Sequence, residues 1–435
     1  MPRRALGSFS LITLFCAIGS LFLVSPGAWA TGQPENGERI IRVGTVLPLS
    51  GELEQFGVLL RRGYEMWSEE VDAAGGLEQG GSRYAVELVI RDDASDPSVT
   101  AQLTERLIIE EGVTALLGPF GAGQTLAMAR VAEEYQVPII APSGGIELIA
   151  DRHNADIYGV VPPAGDAFGS FLDMVARFGP GTNGEASDTS AEEQAPGRPP
   201  RLAILAREGV FTEAVAAGAR RHADGLGLEV AAEDSYSDEG GLIAAVRRAL
   251  REDPTVLILS GSFEDSVALM EFLRDRDVGR TAGPAGGITL GLLAGPDTVE
   301  FYRRLEIDGE AESLPGVFGI AWWTPLSAYQ GAAFGSAVDF SRRYVERYGR
   351  APTYHTAAAA QAGLILQYAF ESAEGNDLLS LSESLGRLRL TTFWGATGFD
   401  PRGLNAAGTA VTVQIQEGRV VAVWPPQAAV VAPRW

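Results

Sequence analysis

The chain has 435 residues, 34 of them basic and 56 acidic, with a formal net charge of −22 and one cysteine. Every basic residue is arginine, which excludes a P-loop lysine, a lysine Schiff base and a Ser-Lys dyad. The acidity repels nucleic acid and anionic lipid, and three histidines leave little material for a metal site or a histidine-based triad.

In chain order, the first segment is set apart by composition. Arg3 and Arg4 precede an apolar run over 11–24, and Ala28-Trp29-Ala30 supplies the small-x-small pattern of a signal-peptidase site. Residues 1–30 are read as a signal peptide cleaved after Ala30, because the apolar run falls short of the roughly 20 residues that span a bilayer. The chain is therefore expected in the periplasm or outside the cell, with no stable membrane insertion. Cys16 lies in the removed segment, so the remainder folds without a disulfide, which its length allows.

Short runs rich in Val, Ile and Leu follow at 40–47, 84–90, 114–117, 137–141 and 157–161, the pattern of buried parallel strands. Between them Leu60, Tyr64, Trp67 and Val71, then Val99, Leu103 and Leu107, recur at spacings of three and four, which predicts helices with one apolar face. Asp96-Pro97 opens the second helix as cap and first-turn proline. Capping and turn formation also account for Asp92 and Asp93 more simply than a metal site does.

Residues 179–200 carry no large apolar side chain and are read as a disordered insertion. Strand–helix pairs resume at 201–206 with 212–226, 228–233 with 241–252, and 255–260 with 265–276. The fold class expected is α/β: two doubly wound parallel-sheet lobes with a hinge and an interlobe cleft. Ligands in such sheets bind beyond the carboxyl ends of the strands, which singles out the loops at 48–56, 118–124, 141–147, 206–212, 234–241 and 260–265.

The stretch Gly118-Pro119-Phe120-Gly121-Ala122-Gly123-Gln124-Thr125 leaves a strand and opens a helix, so its amides suit a carboxylate. Leu126 stands where a dinucleotide fingerprint needs glycine, and no Gly-Lys-Ser/Thr occurs, so both nucleotide readings fail. Ser143-Gly144-Gly145 repeats the arrangement after the next strand. Phe56, Phe120, Phe211 and Phe263 fall in the selected loops, and Trp322-Trp323 ends a strand expected at 316–321. An apolar, aromatic crevice with backbone donors at its floor is expected. His153, His222 and His355 lack the HExxH spacing, no Gly-x-Ser-x-Gly elbow occurs and no thiol survives cleavage, so no enzyme activity and no cofactor are expected.

The series Val46-Leu47-Pro48-Leu49-Ser50-Gly51, Phe56-Gly57, Asp72-Ala73-Ala74-Gly75-Gly76, Arg91-Asp92-Asp93, Gly118-Pro119 and Val137-Pro138-Ile139-Ile140-Ala141-Pro142 resembles the periplasmic leucine/isoleucine/valine-binding proteins. These are the type I solute-binding proteins of ABC importers. The resemblance extends through 344–352, 394–403 and 414–425. After the signal peptide at 1–30, it implies a first lobe at 38–161, a second at 162–318, a return to the first at 319–392 and to the second at 393–435. Crossings between lobes are implied near 161–166, 318–325 and 391–400. It also implies a monomer that closes as a clamshell on a small molecule and delivers it to ABC permease and ATPase subunits; a soluble sensor of the same fold is the alternative.

From the strand-end loops and the resemblance together, the residues expected to touch ligand are Ser50, Phe56, Phe120, Gly121, Ala122, Gly123, Ser143, Gly144, Gly145, Phe211, Phe263, Trp322 and Trp323. Ala122 and Gly145 stand where amino-acid-binding members place hydroxyls, Phe56 and Phe211 where they place tyrosine. The segment matched to their ammonium-binding acid, 283–290, has no carboxylate. The ligand expected is thus a small aliphatic or aromatic carboxylate or amide, with an amino acid a lesser expectation.

Overall fold

The computed structural model describes residues 39–143, 146–150, 156–180, 182, 199–275, 287–305, 314–375 and 377–435. The signal segment 1–30, most of the expected insertion (181 and 183–198), Gly144 and Gly145 lie outside the described residues.

The first half builds one sheet. Its elements in order are β1 (Arg39–Leu47), α1 (Glu54–Ala73), β2 (Leu77–Gln79), β3 (Ser82–Asp92), α2 (Pro97–Ile109), β4 (Ala115–Leu117), α3 (Ala122–Tyr135), β5 (Ile139–Ala141), α4 (Glu147–Ala150) and β6 (Ile157–Gly159). The strands align as β2-β3-β1-β4-β5-β6. All pairs are parallel except the β2–β3 hairpin. Leu60, Tyr64, Trp67 and Val71 form the buried face of α1. Asp96 caps α2 by accepting from the Ser98 N–H. Asp92 accepts from the Leu49 and Ala94 N–H groups and Asp93 from that of Ser95, so this acidic cluster builds the turn.

The chain then enters a second sheet through α5 (Gly169–Phe178), β7 (Arg201–Arg207), α6 (Val210–Gly225), β8 (Glu229–Tyr236), α7 (Glu239–Leu250), β9 (Val256–Ser260), α8 (Phe263–Asp275), β10 (Thr289–Leu292), α9 (Val299–Arg304) and β11 (Val317–Ala321). It returns to the first sheet with α10 (Ala337–Tyr348), α11 (Tyr354–Ser372) and α12 (Leu378–Arg387), makes the hairpin β12 (Arg389–Thr392) and β13 (Gly395–Gly398), and ends with β14 (Val411–Gln416) and β15 (Arg419–Trp424). The second sheet runs β15-β14-β11-β10-β9-β7-β8. Its β7 to β11 pairs are parallel, while β14 and β15 are antiparallel additions at one edge. Both sheets are parallel-dominated, as expected, with antiparallel strands only at an edge; β14 and β15 form a hairpin, whose two strands pair antiparallel.

The returning helix α11 explains why the first lobe needs the distant segment. From Thr356 to Leu366 every residue is buried, the mark of an interior helix rather than an amphipathic one. It lies on α1 at very short range. A Cβ at Gly63 would strike the Thr356 carbonyl, and one at Gly363 would strike the Trp67 ring. Only glycine lets the two backbones approach this closely.

The chain passes between the sheets three times: after β6, after β11, and between β13 and β14. Buried Asn405 ties two of these passages. Its amide donates to the Val160 carbonyl at 2.8 Å, and its oxygen accepts from the Gly398 and Gly408 N–H groups at 3.1 and 2.9 Å.

Candidate functional site

The carboxyl ends of the parallel strands in each sheet carry the loops that face the cleft. In the first lobe, Gly121 takes φ 100 and precedes α3 without any side-chain cap. A side chain there would meet Gln124 Oε1 at 2.6 Å, so glycine is needed for the turn. The first amides of α3 have no intrahelical acceptor, and Ala122 and Gly123 are exposed. The result is a positive helix end open to an anion. Ser143, buried on the next loop, donates to the Pro119 carbonyl at 3.4 Å.

Beside this helix end lie four rings. Phe56 and Phe120 stack at 4.1 Å with an interplanar angle of 9°. The His355 imidazole sits 5.3 Å from one and 5.4 Å from the other, tilted to both, and Tyr354 stacks on its face at 3.9 Å. Burial holds His355 down to about 4, so it is neutral at physiological pH. Tyr354 and His355 open α11, so the interior helix of the lobe delivers its N-terminus to the cleft.

The second lobe presents a different rim. Arg207, at the end of β7, grips Asp265 through two contacts at 2.7 and 2.5 Å, and donates to the Ser237 carbonyl. Asp265 also accepts from the Ser262 N–H and hydroxyl. Burial raises the Asp265 carboxyl, but the Arg207 and Ser262 bonds outweigh it and leave it below its ordinary value. These contacts fasten together the ends of β7, β8 and β9.

One carboxylate on this rim is differently placed. Asp297 follows β10 in the turn Gly295-Pro296-Asp297 and accepts from the Gly295 N–H at 3.0 Å. It is exposed by surface area, yet desolvation pushes it up to about 6. The two coexist in a cleft, where solvent reaches a side chain that protein surrounds. Tyr354, of the opposite lobe, feels it: burial pushes the phenol up to about 12, and the negative charge of Asp297 adds to the shift. Asp297, Tyr354 and His355 therefore share one space.

The residues expected from sequence divide accordingly. Phe56, Phe120, Gly121, Ala122, Gly123 and Ser143 gather at the first-lobe rim. Ser50 is part of its scaffold, donating to Asp92 at 2.8 Å and receiving the Ser95 hydroxyl on its carbonyl. Phe211, 46% exposed at the start of α6, stands on the second-lobe rim. Trp322 packs against the cores of both lobes, a hinge position. Trp323 is corrected: it is buried, donates its indole N–H to the Phe393 carbonyl at 3.0 Å and packs on Phe340 and Phe393, which leaves no face for a ligand. Phe263 is likewise turned to the second-lobe core, edge-on to Phe301.

Sequence reasoning missed Asp297, Tyr354 and His355. The segment 283–290 has no carboxylate, and the nearest one that follows in the chain among the described residues is Asp297, in the loop after β10. That Gly-Pro-Asp turn after a strand was the available signal for Asp297; His355 had none beyond being one of three histidines.

Among the described residues no helix is long and apolar enough to cross a membrane. The chain is 23% identical over 401 residues to the Leu/Ile/Val-binding protein homolog 8 of Brucella melitensis, spanning 91% of this chain and 93% of that one. A putative branched-chain amino acid ABC transporter structure from Rhodospirillum rubrum superposes with a TM-score of 0.71 at 17% identity, covering 88% of this chain and all of the other. The branched-chain amino acid transporter substrate binding protein LivJ from Streptococcus pneumoniae, in complex with isoleucine, gives 0.60 at 18% identity over 91% of this chain. The fold is that of the type I periplasmic binding proteins, and, with residues 40–419 matching the family's sequence profile, the chain belongs to the periplasmic binding protein family.

Proposed function

We propose that this protein is the extracytoplasmic solute-binding subunit of an ABC importer and captures an α-amino acid with an apolar side chain by clamshell closure. It is exported by its signal peptide, catalyses no reaction, and hands the ligand to a permease with its ATPase. Its two lobes divide at the three passages between the sheets.

The observation that carries the reading is Asp297, a partly desolvated carboxylate across the cleft from the uncapped end of α3. A zwitterion fits that polarity. Its carboxylate meets helix amides, its ammonium meets Asp297, and each charge is paired when closure removes water. A carboxylic acid without the ammonium would leave Asp297 uncompensated, so the amino acid displaces the simple carboxylate as the favoured ligand. The homologues' names, Leu/Ile/Val-binding and branched-chain amino acid transport, support the same class.

A thermal-shift screen of the purified protein tests this. Amino acids with apolar side chains should raise the melting temperature, a ligand at a hundred times its Kd adding about 2.7 kcal/mol. Benzoate and 4-methylpentanoate, which lack the ammonium, should have little effect. Shifts from these acids equal to the amino acids would sink the zwitterion reading.

A further inference from the structure

Within the amino-acid reading, the structure also constrains the side chain of the ligand. His355 is the informative residue. One face of its imidazole is covered by Tyr354 at 3.9 Å, and the Phe56–Phe120 stack closes in on another side at 5.3 and 5.4 Å. What remains is the ring edge, where the nitrogens are. Neither nitrogen has a hydrogen-bond partner among the described residues. A neutral imidazole presents one donor and one acceptor there. The charged and titratable groups around it are Asp297 and Tyr354, which share the cleft.

We infer that the ligand is an aromatic amino acid carrying a hydrogen-bonding group on its ring, a phenol or an indole, and that His355 is the residue that selects it. Candidate side chains differ in what they leave unpaired. Closure removes the water that serves the imidazole edge in the open form. An aliphatic side chain would then strand a donor and an acceptor, and a site built to hydrogen-bond its ligand discriminates strongly against analogues that lack the group. A small polar side chain would satisfy the imidazole but lie against the rings of Phe56, Phe120 and Tyr354. A ring meets both demands: it packs edge or face against these rings and carries its hydroxyl or N–H to the histidine. Phe211, exposed on the opposite rim, supplies a further ring when the lobes close.

The inference rests on the proposed amino-acid function, and calorimetry on the purified protein with tyrosine, tryptophan, phenylalanine and leucine separates the two. Tyrosine or tryptophan should bind about tenfold more tightly than phenylalanine, the worth of one hydrogen bond, and leucine more weakly still. His355→Phe keeps the ring and removes both nitrogens; it should bring tyrosine and phenylalanine to about equal affinity, with phenylalanine binding more tightly than before because no imidazole edge is left unpaired. His355→Gln, which keeps a donor and an acceptor, should restore part of the preference and covers the case of a poorly folding phenylalanine variant. Leucine binding more tightly than the aromatic amino acids would overturn the inference and leave the proposed function standing, and so would a tyrosine preference unaltered in both variants. Failure of every amino acid to bind would overturn both.

Discussion

The two strand-end rims that face each other across the cleft are built by opposite means. The first-lobe rim is apolar and aromatic, and among the described residues no side chain caps α3 and the His355 edge has no partner. The second-lobe rim is ionic and nearly self-satisfied, with Arg207 and Asp265 consuming each other's hydrogen-bonding capacity. Asp297 is the exception, with only backbone donors, the Gly295 N–H and its own, beside the charge that burial penalises. Charge by itself therefore does not mark the site. What distinguishes Asp297 from Asp265 is that one is paired within its own lobe and the other awaits a partner.

The sharpest way to break this comparison is to neutralise each carboxylate system in turn. Asp297→Asn should weaken amino-acid binding by about a hundredfold or more, the range for removing one partner of a desolvated charge pair. It should leave the melting temperature of the free protein unchanged or higher, because the charge removed was an uncompensated one. Arg207→Ala should do the reverse. It strands the buried Asp265 carboxylate and should cost about 3 kcal/mol in denaturant unfolding, the low end for such pairs because Arg207 is itself a third exposed. Ligand affinity, measured below the unfolding range, should change little. A loss of affinity in Arg207→Ala equal to that in Asp297→Asn would erase the distinction between the rims.

Between the rims lie the passages, and there Asn405 holds two of them with three bonds, two of them buried. Asn405→Ala would leave two N–H groups and a carbonyl unpaired, and should cost about 2 kcal/mol. Because the residue touches no ligand, any change in affinity would report a shifted balance of open and closed forms. Small-angle scattering with and without ligand would detect that shift directly.

Much of this organisation was legible in the sequence, for identifiable reasons. Strands buried on both faces announce themselves as short Val, Ile and Leu runs, and α1 by the spacing of Leu60, Tyr64, Trp67 and Val71. Turn-forming glycine and the strand-to-helix loops fixed where the first rim would be, including Phe56, Phe120 and Gly121. The interior helix α11 was opaque. Its alanine-rich stretch has no polar face from which to read an orientation, so nothing in the pattern said that Tyr354 and His355 begin it at the cleft. Trp323 was misplaced for the converse reason: adjacent residues in a chain leaving a strand point to opposite sides, and only three-dimensional packing decides which tryptophan meets the core. Asp297 was missed because the group that feels its charge, Tyr354, lies in the other lobe, a relation without any local spacing.

The smallest expected effect is also the one that tests the two rims together. Asp297, with a folded-state value of about 6, binds more protons folded than unfolded between pH 4 and 6, so its contribution to stability fades as pH rises through that window. His355, held at about 4, does the opposite: the unfolded state binds the proton between pH 6.5 and 4, and stability is lost as pH falls. In the free protein these two contributions oppose each other and leave a shallow net dependence. Ligand binding breaks the balance, because the ammonium requires Asp297 ionised. Affinity should be constant above pH 7 and decline below pH 6, approaching tenfold per unit, measured by calorimetry in buffers of different ionisation enthalpy to count the proton released. Asp297→Asn should flatten that decline, whereas His355→Phe should leave it in place and steepen the fall in free-protein stability as pH rises from 4 to 6. A decline that survived in Asp297→Asn would place the titrating group elsewhere and remove the ammonium from this carboxylate.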